Sequence, residues 1–253
     1  MNWRVVSASE IGTSHVANAG SCEDSCWAQV GLTAGDLPFL SIFVADGAGS
    51  AARGGDGAEL AIQAAAAFID EKLKLHEFGL SDALATECIL KVREKIYAVA
   101  ESEGLKARDF ACTFLGVLSF TLGTLLIQIG DGGIVIDIGN GLEVPITPMS
   151  GEYANMTNFV TDENAVNLMV TKTYPTIASR VAAFSDGLQR LALNMAENTA
   201  HEPFFDPFFK VLTTAKPEQE DQLNSALVRF LRSSAVNERT DDDKTLALAV
   251  IVE

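Results

Sequence analysis

Four short acidic turns lie at the edges of apolar runs spread across the whole chain. They are Cys22-Glu23-Asp24, Val44-Ala45-Asp46-Gly47, Phe184-Ser185-Asp186-Gly187-Leu188 and Asp241-Asp242-Asp243-Lys244-Thr245. A carboxylate at a strand end, often followed by glycine, projects from a rigid edge while the backbone stays close to whatever it binds. If folding gathers the four, like charges ~4 Å apart repel by ~4 kcal/mol per pair at an effective dielectric of ~20. Cations make such a cluster tolerable. Oxygen ligands without histidine or cysteine select hard divalent metals.

The formal net charge of -16, with no basic stripe to interrupt it, argues against a nucleic-acid partner, because phosphate backbones are held by Lys and Arg. Met1-Asn2-Trp3-Arg4 has no basic stretch followed by an apolar one, so no secretory signal is expected. The longest apolar stretches, such as Leu125 to Ile129, are too short to cross a bilayer. Cys22, Cys26, Cys88 and Cys112 form neither a disulfide framework nor paired zinc spacing. They read as reduced thiols, with Cys22 and Cys26 the one candidate redox pair. The expectation is a cytoplasmic protein with no membrane partner.

Apolar periodicity predicts strands at Trp3 to Ala8, Cys26 to Val30 and Phe39 to Ala45. Gly-rich turns then lead into a helix from Ala58 to Leu75, with His76 at its solvated end, and Ser81 caps a second helix running to about Glu103. Strands are expected at Cys112 to Phe120, Thr124 to Ile129, Gly133 to Ile138 and Leu142 to Ile146. The Gly and Asn residues between them suggest a continuous antiparallel meander. Pro148 to about Thr173 reads as an irregular insert over one end of the sheet. Val181 to Phe184 and Leu246 to Val252 read as buried strands, and Leu188 to Ala196 and Gln219 to Leu231 as helices. Phe204, Phe205, Phe208 and Phe209 read as a small core under a loop. No linker or repeat divides the chain, so one domain over 1–253 is expected.

With these motifs in place, the chain resembles a metal-dependent protein phosphatase of the 2C type, in its bacterial branch. The family's opening Glu-Asp matches Glu23-Asp24, and its Asp-Gly turn followed by small residues matches Asp46-Gly47-Ala48-Gly49-Ser50. Its Gly-Asp-Ser matches Gly130-Asp131-Gly132, with Gly for Ser. Its Ser-Asp-Gly matches Ser185-Asp186-Gly187, and its Asp-Asn-x-Thr matches Asp242-Asp243-Lys244-Thr245, with Asp for Asn. Gly151-Glu152-Tyr153-Ala154-Asn155 resembles a further stretch of the bacterial branch. The matches keep family order along nearly the whole chain.

The resemblance implies an α+β fold, a four-layer α-β-β-α sandwich of two antiparallel sheets with helices outside. It implies hydrolysis of phosphoserine and phosphothreonine in proteins by a water activated between two Mn2+ or Mg2+ ions ~3.5–4 Å apart. Asp46, Asp186 and Asp242 would carry the chemistry. Asp46 would bridge both ions and the Gly47 carbonyl would bind one. Asp186 and Asp242 would hold the other, Glu23 and Asp24 would act through bound waters, and Asp131 would join Asp186 at a weaker third ion. Asp241 and Asp243 remain alternatives to Asp242. The partners implied are a phosphorylated protein substrate and a cognate Ser/Thr kinase.

One departure bears on the substrate. Many relatives carry a phosphate-binding Arg four residues before the opening Glu, where this chain has Ala19. A different count brings His15 to that place, and Arg53, in the turn after Asp46, is another candidate for the substrate phosphate. An Arg fork binds phosphate bidentately, which histidine only partly imitates. The missing Arg leaves a second reading open, a catalytically weak phosphoprotein-binding regulatory module of the same fold. A small phosphorylated metabolite is a third possible substrate class.

Overall fold

The computed structural model describes residues 2–75, 79–148 and 157–252. The chain begins with β1 (Asn2–Glu10), the short α1 (Thr13–Ala17), β2 (Asp24–Leu32) and β3 (Pro38–Asp46). The long helices α2 (Gly54–Leu73) and α3 (Asp82–Ser102) follow, with Ser81 Oγ accepting from Leu84 N at 3.3 Å as the expected cap. Next come β4 (Phe114–Phe120), β5 (Gly123–Ile129), β6 (Gly133–Asp137), β7 (Leu142–Glu143), α4 (Ala165–Leu168), β8 (Val170–Tyr174) and β9 (Arg180–Phe184). The last part holds α5 (Gln189–Ala192), β10 (Leu193–Asn194), β11 (Thr199–Ala200), α6 (Glu202–Thr214), α7 (Glu220–Leu231), α8 (Ser234–Asn237) and β12 (Lys244–Val252).

Two five-stranded antiparallel sheets pack face to face, ordered β1-β12-β9-β6-β7 and β2-β3-β4-β5-β8. Alternation along β3 shows how the layers form. Leu40, Ile42 and Val44 point between the sheets, against Leu115, Val117, Ile134, Val181 and Ala247. Phe39, Phe43 and Ala45 point the other way, into a core with the Ala-rich face of α2 and the Leu84-Cys88-Val92-Ile96 stripe of α3. The first sheet is covered likewise by α6 and α7, whose Phe205, Phe209, Leu227 and Leu231 meet Val6, Phe184, Leu246 and Leu248. The result is the expected α-β-β-α sandwich.

Four expectations fail, each for a physical reason. The meander is broken: β4 pairs with β5, but β6 belongs to the other sheet and pairs with β9 and β7. The Gly130-Asp131-Gly132 turn is a crossover between sheets, with Gly130 and Gly132 at φ 96° and 89°. Strands buried on both faces read as unbroken apolar runs, so periodicity could not assign them to a sheet. The insert from Pro148 to Thr173 is more regular than expected, containing α4 and the edge strand β8 paired with β5. The expected helix from Leu188 to Ala196 shortens to α5 and gives way to the β10–β11 hairpin. Phe204 to Phe209 form a helix, α6, rather than a loop. Pro203 and Pro207 mask it in the sequence, yet Phe205 and Phe209 bury on one face and Phe208 meets the Phe230 ring edge-on at 5.0 Å. His76 and the Gly151-Glu152-Tyr153-Ala154-Asn155 stretch lie outside the described residues. Among those described, no helix is long and apolar enough to cross a membrane.

Candidate active site

The acidic turns meet at one end of the sandwich. Asp24 opens β2 and Asp46 closes β3, and the register sets the two opposite one another. Gly47 N donates to Glu23 O at 3.0 Å, which fixes the two turns together. Thr113, just before β4, locks Asp46 from the other side. Its N donates to Asp46 O at 2.8 Å and its Oγ1 accepts from Asp46 N at 3.0 Å. From the first sheet come Asp186, two residues after β9, and Asp242, two residues before β12. The crossover supplies Asp131.

A pocket of about 230 Å³ is lined by Asp46, Gly47, Asp131, Asp186, Asp242, Asp243 and His15, together with Thr113, Thr157 and Phe159. Folding therefore gathers Asp46, Gly47, Asp131, Asp186, Asp242 and His15 around one space. Glu23 and Asp24 lie behind it, in an adjoining hollow with Arg53 and Asp56. Arg53 is turned away from the pocket: it pairs with Asp56 and Glu103 and its guanidinium stacks 5.3 Å over the Phe110 ring.

The three consecutive aspartates have different surroundings. Asp241 turns its carbonyl to α1, accepting from Ser14 N and Ser14 Oγ at 2.9 and 2.7 Å. Asp243 is buried, with both oxygens engaged: Oδ1 accepts from Gly12 N at 2.6 Å, while Oδ2 accepts from Glu23 N at 2.6 Å and meets His15 Nδ1 at 3.0 Å. Asp242 is exposed to the pocket. Glycine at 187 allows this loop to close, because a Cβ there would stand 2.0 Å from the Asp243 carbonyl oxygen.

The electrostatics show what the pocket lacks. Burial, followed by the nearby charges of Asp24 and Asp186, lifts the Asp46 carboxyl well above its ordinary range. Burial and then Asp131 and Asp242 lift Asp186 to about 6. Burial lifts Asp24 to about 7 against the stabilising hydroxyl of Ser185. Burial lowers His15, but the carboxylates of Asp243, Glu23 and Asp242 outweigh it and leave the imidazole raised. Glu23 Oε2, Asp24 Oδ1 and Asp186 Oδ1 are buried without a hydrogen-bond donor. Donor-starved carboxylates raised by mutual repulsion are the donor set of a hard cation. Among the described residues no three His, Cys, Asp or Glu side chains close on one point. Small divalent cations do not require that, since they are held by one or two carboxylates and keep several waters.

Comparison with known proteins identifies the family. Residues 11–232 match the family described as "Protein phosphatase 2C". This chain belongs to the protein phosphatase 2C family. It is 54% identical over 253 residues to Serine/threonine-protein phosphatase 3 of Escherichia coli (strain K12), covering all of both chains. It is a serine/threonine phosphatase. Solved structures share its fold. The S. agalactiae serine/threonine phosphatase superposes with a TM-score of 0.66 at 17% identity, over 98% of this chain and 99% of that one. The catalytic domain of the phosphatase PstP, described as in complex with 2 manganese ions, gives 0.65 at 17% identity, over 99% of each chain.

Sequence reasoning missed Thr113 and Thr157 as supports of this phosphatase's pocket, and the roles of Ser185 and Asp243. Thr157 Oγ1 donates to Asp131 Oδ2 at 2.8 Å. Ser185 Oγ donates to Asp24 Oδ2 at 2.7 Å and accepts from Thr245 N at 3.1 Å, joining the opening strands of one sheet to the closing strands of the other. The Ser-Asp-Gly and Asp-x-x-Thr patterns carried the signal for Ser185 and Asp243, whereas the threonines had none.

Proposed function

We propose that this phosphatase hydrolyses phosphoserine and phosphothreonine in proteins with two Mn2+ or Mg2+ ions, and a weaker third, held in the acidic pocket. One observation carries the reading. Asp46, Asp131, Asp186 and Asp242, far apart in sequence, converge on one space where Asp186 Oδ1 is buried without a donor. The manganese of PstP agrees with it. The ions would supply a water acidic enough to attack at neutral pH and positive charge for the phosphoryl oxygens.

The chain's residues hold this arrangement. Asp46 lines the pocket and would serve both ions, assisted by the Gly47 carbonyl. Asp186 and Asp242 would hold the second of them, and Asp131 with Asp186 the weaker third. Glu23 and Asp24, behind the pocket, would act through waters bound to the ions. Asp243, with both oxygens taken, leaves Asp242 as the ligand of its loop. The domain spans 1–253 and works in the cytoplasm, opposite a Ser/Thr kinase whose products it consumes. Calorimetric titration with Mn2+, alongside phosphate release from a phosphoserine peptide, tests the proposal. Uptake of manganese by the parent and loss of uptake and turnover in Asp46→Ala and Asp186→Ala are expected. A parent protein that takes up no manganese, or an Asp46→Ala variant as active as the parent, rejects it.

A further inference from the structure

The wall of the pocket that carries Thr157 is a turn anchored on a helix outside the pocket. Residues 157–162 belong to no helix or strand, and Thr157 and Phe159 at their start line the pocket. Thr157 Oγ1 donates to Asp131 Oδ2 at 2.8 Å. The next residue packs on the crossover that bears Asp131, since a Cβ on Gly130 would stand 2.9 Å from Asn158 O. Asp131 therefore rests on this turn. The turn in its own right is held by α3. Arg93 Nη1 donates to Val160 O and, at 2.5 Å, to Asp162 O, while Arg93 Nη2 donates to Tyr97 Oη at 3.2 Å. Tyr97 Oη donates in turn to Thr161 O at 3.0 Å, and the guanidinium lies 5.1 Å over the Tyr97 ring. Two side chains one helical turn apart thus grip three consecutive carbonyls. A planar fork with several N–H groups suits that task, which a single ammonium does not. Val160 N also donates to Cys112 O at 2.9 Å, next to the Thr113 that locks Asp46. Val160 itself is fully buried in the core that β3 shares with α2 and α3.

We propose that Arg93, with Tyr97, is a positioning residue for Asp131 and sets how tightly the weaker third cation is held. This rests on the metal reading above and goes beyond it, because it places a determinant of that position on the surface of α3, where Tyr97 is exposed. The action is indirect. Pinned carbonyls keep residues 160–162 in place, the turn keeps the Thr157 hydroxyl on Asp131, and the hydroxyl keeps the carboxylate in one orientation. A carboxylate already fixed gives up less freedom on taking a cation than one that swings. Asp46, Asp186 and Asp242 are positioned by β3, β9 and β12, so the two tighter ions should be held as before.

Binding of Mn2+ to the full chain, counted from the electron paramagnetic resonance signal of the free ion, tests this. Thr157→Val and Arg93→Met should each weaken the third uptake by about 10–100-fold, as losses of partners behind metal ligands do, with the two tighter uptakes unmoved. The double variant should lose no more than Thr157→Val alone, because Arg93 acts through that contact. Tyr97→Phe, which removes one of the carbonyl bonds, should lose less. Turnover of a phosphoserine peptide by Arg93→Met should fall at low manganese and return to the parent's value at high manganese, since mass action refills a weakened position. In chelator, amide exchange at Val160 should quicken in Arg93→Met. Losses that add in the double variant, equal weakening of all three uptakes, or a third uptake in Arg93→Met equal to the parent's would each overturn the proposal and leave the metal reading standing. A parent with two uptakes only removes the third ion and this proposal with it. A parent with none removes the whole metal reading.

Discussion

Asp24 and Asp46, 22 positions apart, stand opposite each other in the β2–β3 ladder. The hairpin between them closes through Thr33, whose carbonyl accepts from Asp36 N and whose N donates to Leu37 O, each at 2.9 Å. A slip of one residue in that ladder would turn every alternate side chain to the wrong face and separate the two carboxylates at once. The turn far from the pocket is therefore part of its geometry.

Asp46 sits among carboxylates that burial and repulsion have raised, so neutralising it should help the fold while harming the chemistry. Asp46→Asn keeps the shape of the side chain and removes one repelling charge. In chelator, its melting temperature should rise by about 2–4 °C for each kcal/mol of relieved repulsion, of which about 1–3 kcal/mol is expected. Manganese should raise the parent's melting point and leave the variant's unmoved, since ligand bound only to the native state stabilises by mass action. Turnover should fall about a thousandfold. Differential scanning with and without Mn2+ checks this, and a variant that melts lower than the parent in chelator counts against it.

Ser185 holds Asp24 Oδ2 behind the pocket and leaves Oδ1 without a donor. Ser185→Ala should weaken manganese binding by about 10–100-fold, as losses of partners behind metal ligands do. It should also destabilise by about 1–3 kcal/mol, because Thr245 N loses its acceptor. Ser185→Thr keeps the hydroxyl and should recover most of the affinity. Calorimetry showing manganese binding of the alanine variant equal to the parent's would contradict the role.

Arg180 and Asp137 face each other across β6 and β9, with Arg180 Nε and Nη2 donating to Asp137 Oδ2 at 3.0 and 2.6 Å. Burial alone would raise Asp137, but Arg180 and the Gly139 and Gly141 N–H groups prevail and hold it below the usual carboxylate range. A lowered folded value means the pair's stability is fully present above the unfolded value of about 4 and is lost as pH falls through the folded value beneath it. Arg180→Met should destabilise by about 1–3 kcal/mol at pH 7. Urea melts from pH 7 to 3 should show the gap from the parent narrowing only at the acid end. A gap independent of pH would exclude the linkage.

Arg53 is held by two carboxylates and an aromatic face outside the pocket. Arg53→Ala should leave the KM for a phosphoserine peptide as it is in the parent. A large rise in KM, measured by steady-state kinetics, would return Arg53 to the substrate.

Much of the fold and the ends of its strands could be read directly. Turns such as Asp46-Gly47 and Ser185-Asp186-Gly187 leave few residue choices, because backbone approaches backbone there. The pairing of β6 with β9 could not be read: Ile134 and Val135 are both fully buried, one toward each face, so no alternation marks the sheet. Nor could the contact of His15 with Asp243, made across 228 positions, or the role of Thr113, an ordinary residue before a strand. Helix α6 was hidden by its prolines, although Phe205 and Phe209 kept helical spacing.

Strand β12 pairs with β1 on one side and β9 on the other. During synthesis, β1 must therefore wait without this neighbour until the intervening elements have emerged from the ribosome. The pocket, which takes Asp242 from the turn just before β12, assembles only after that last pairing is possible.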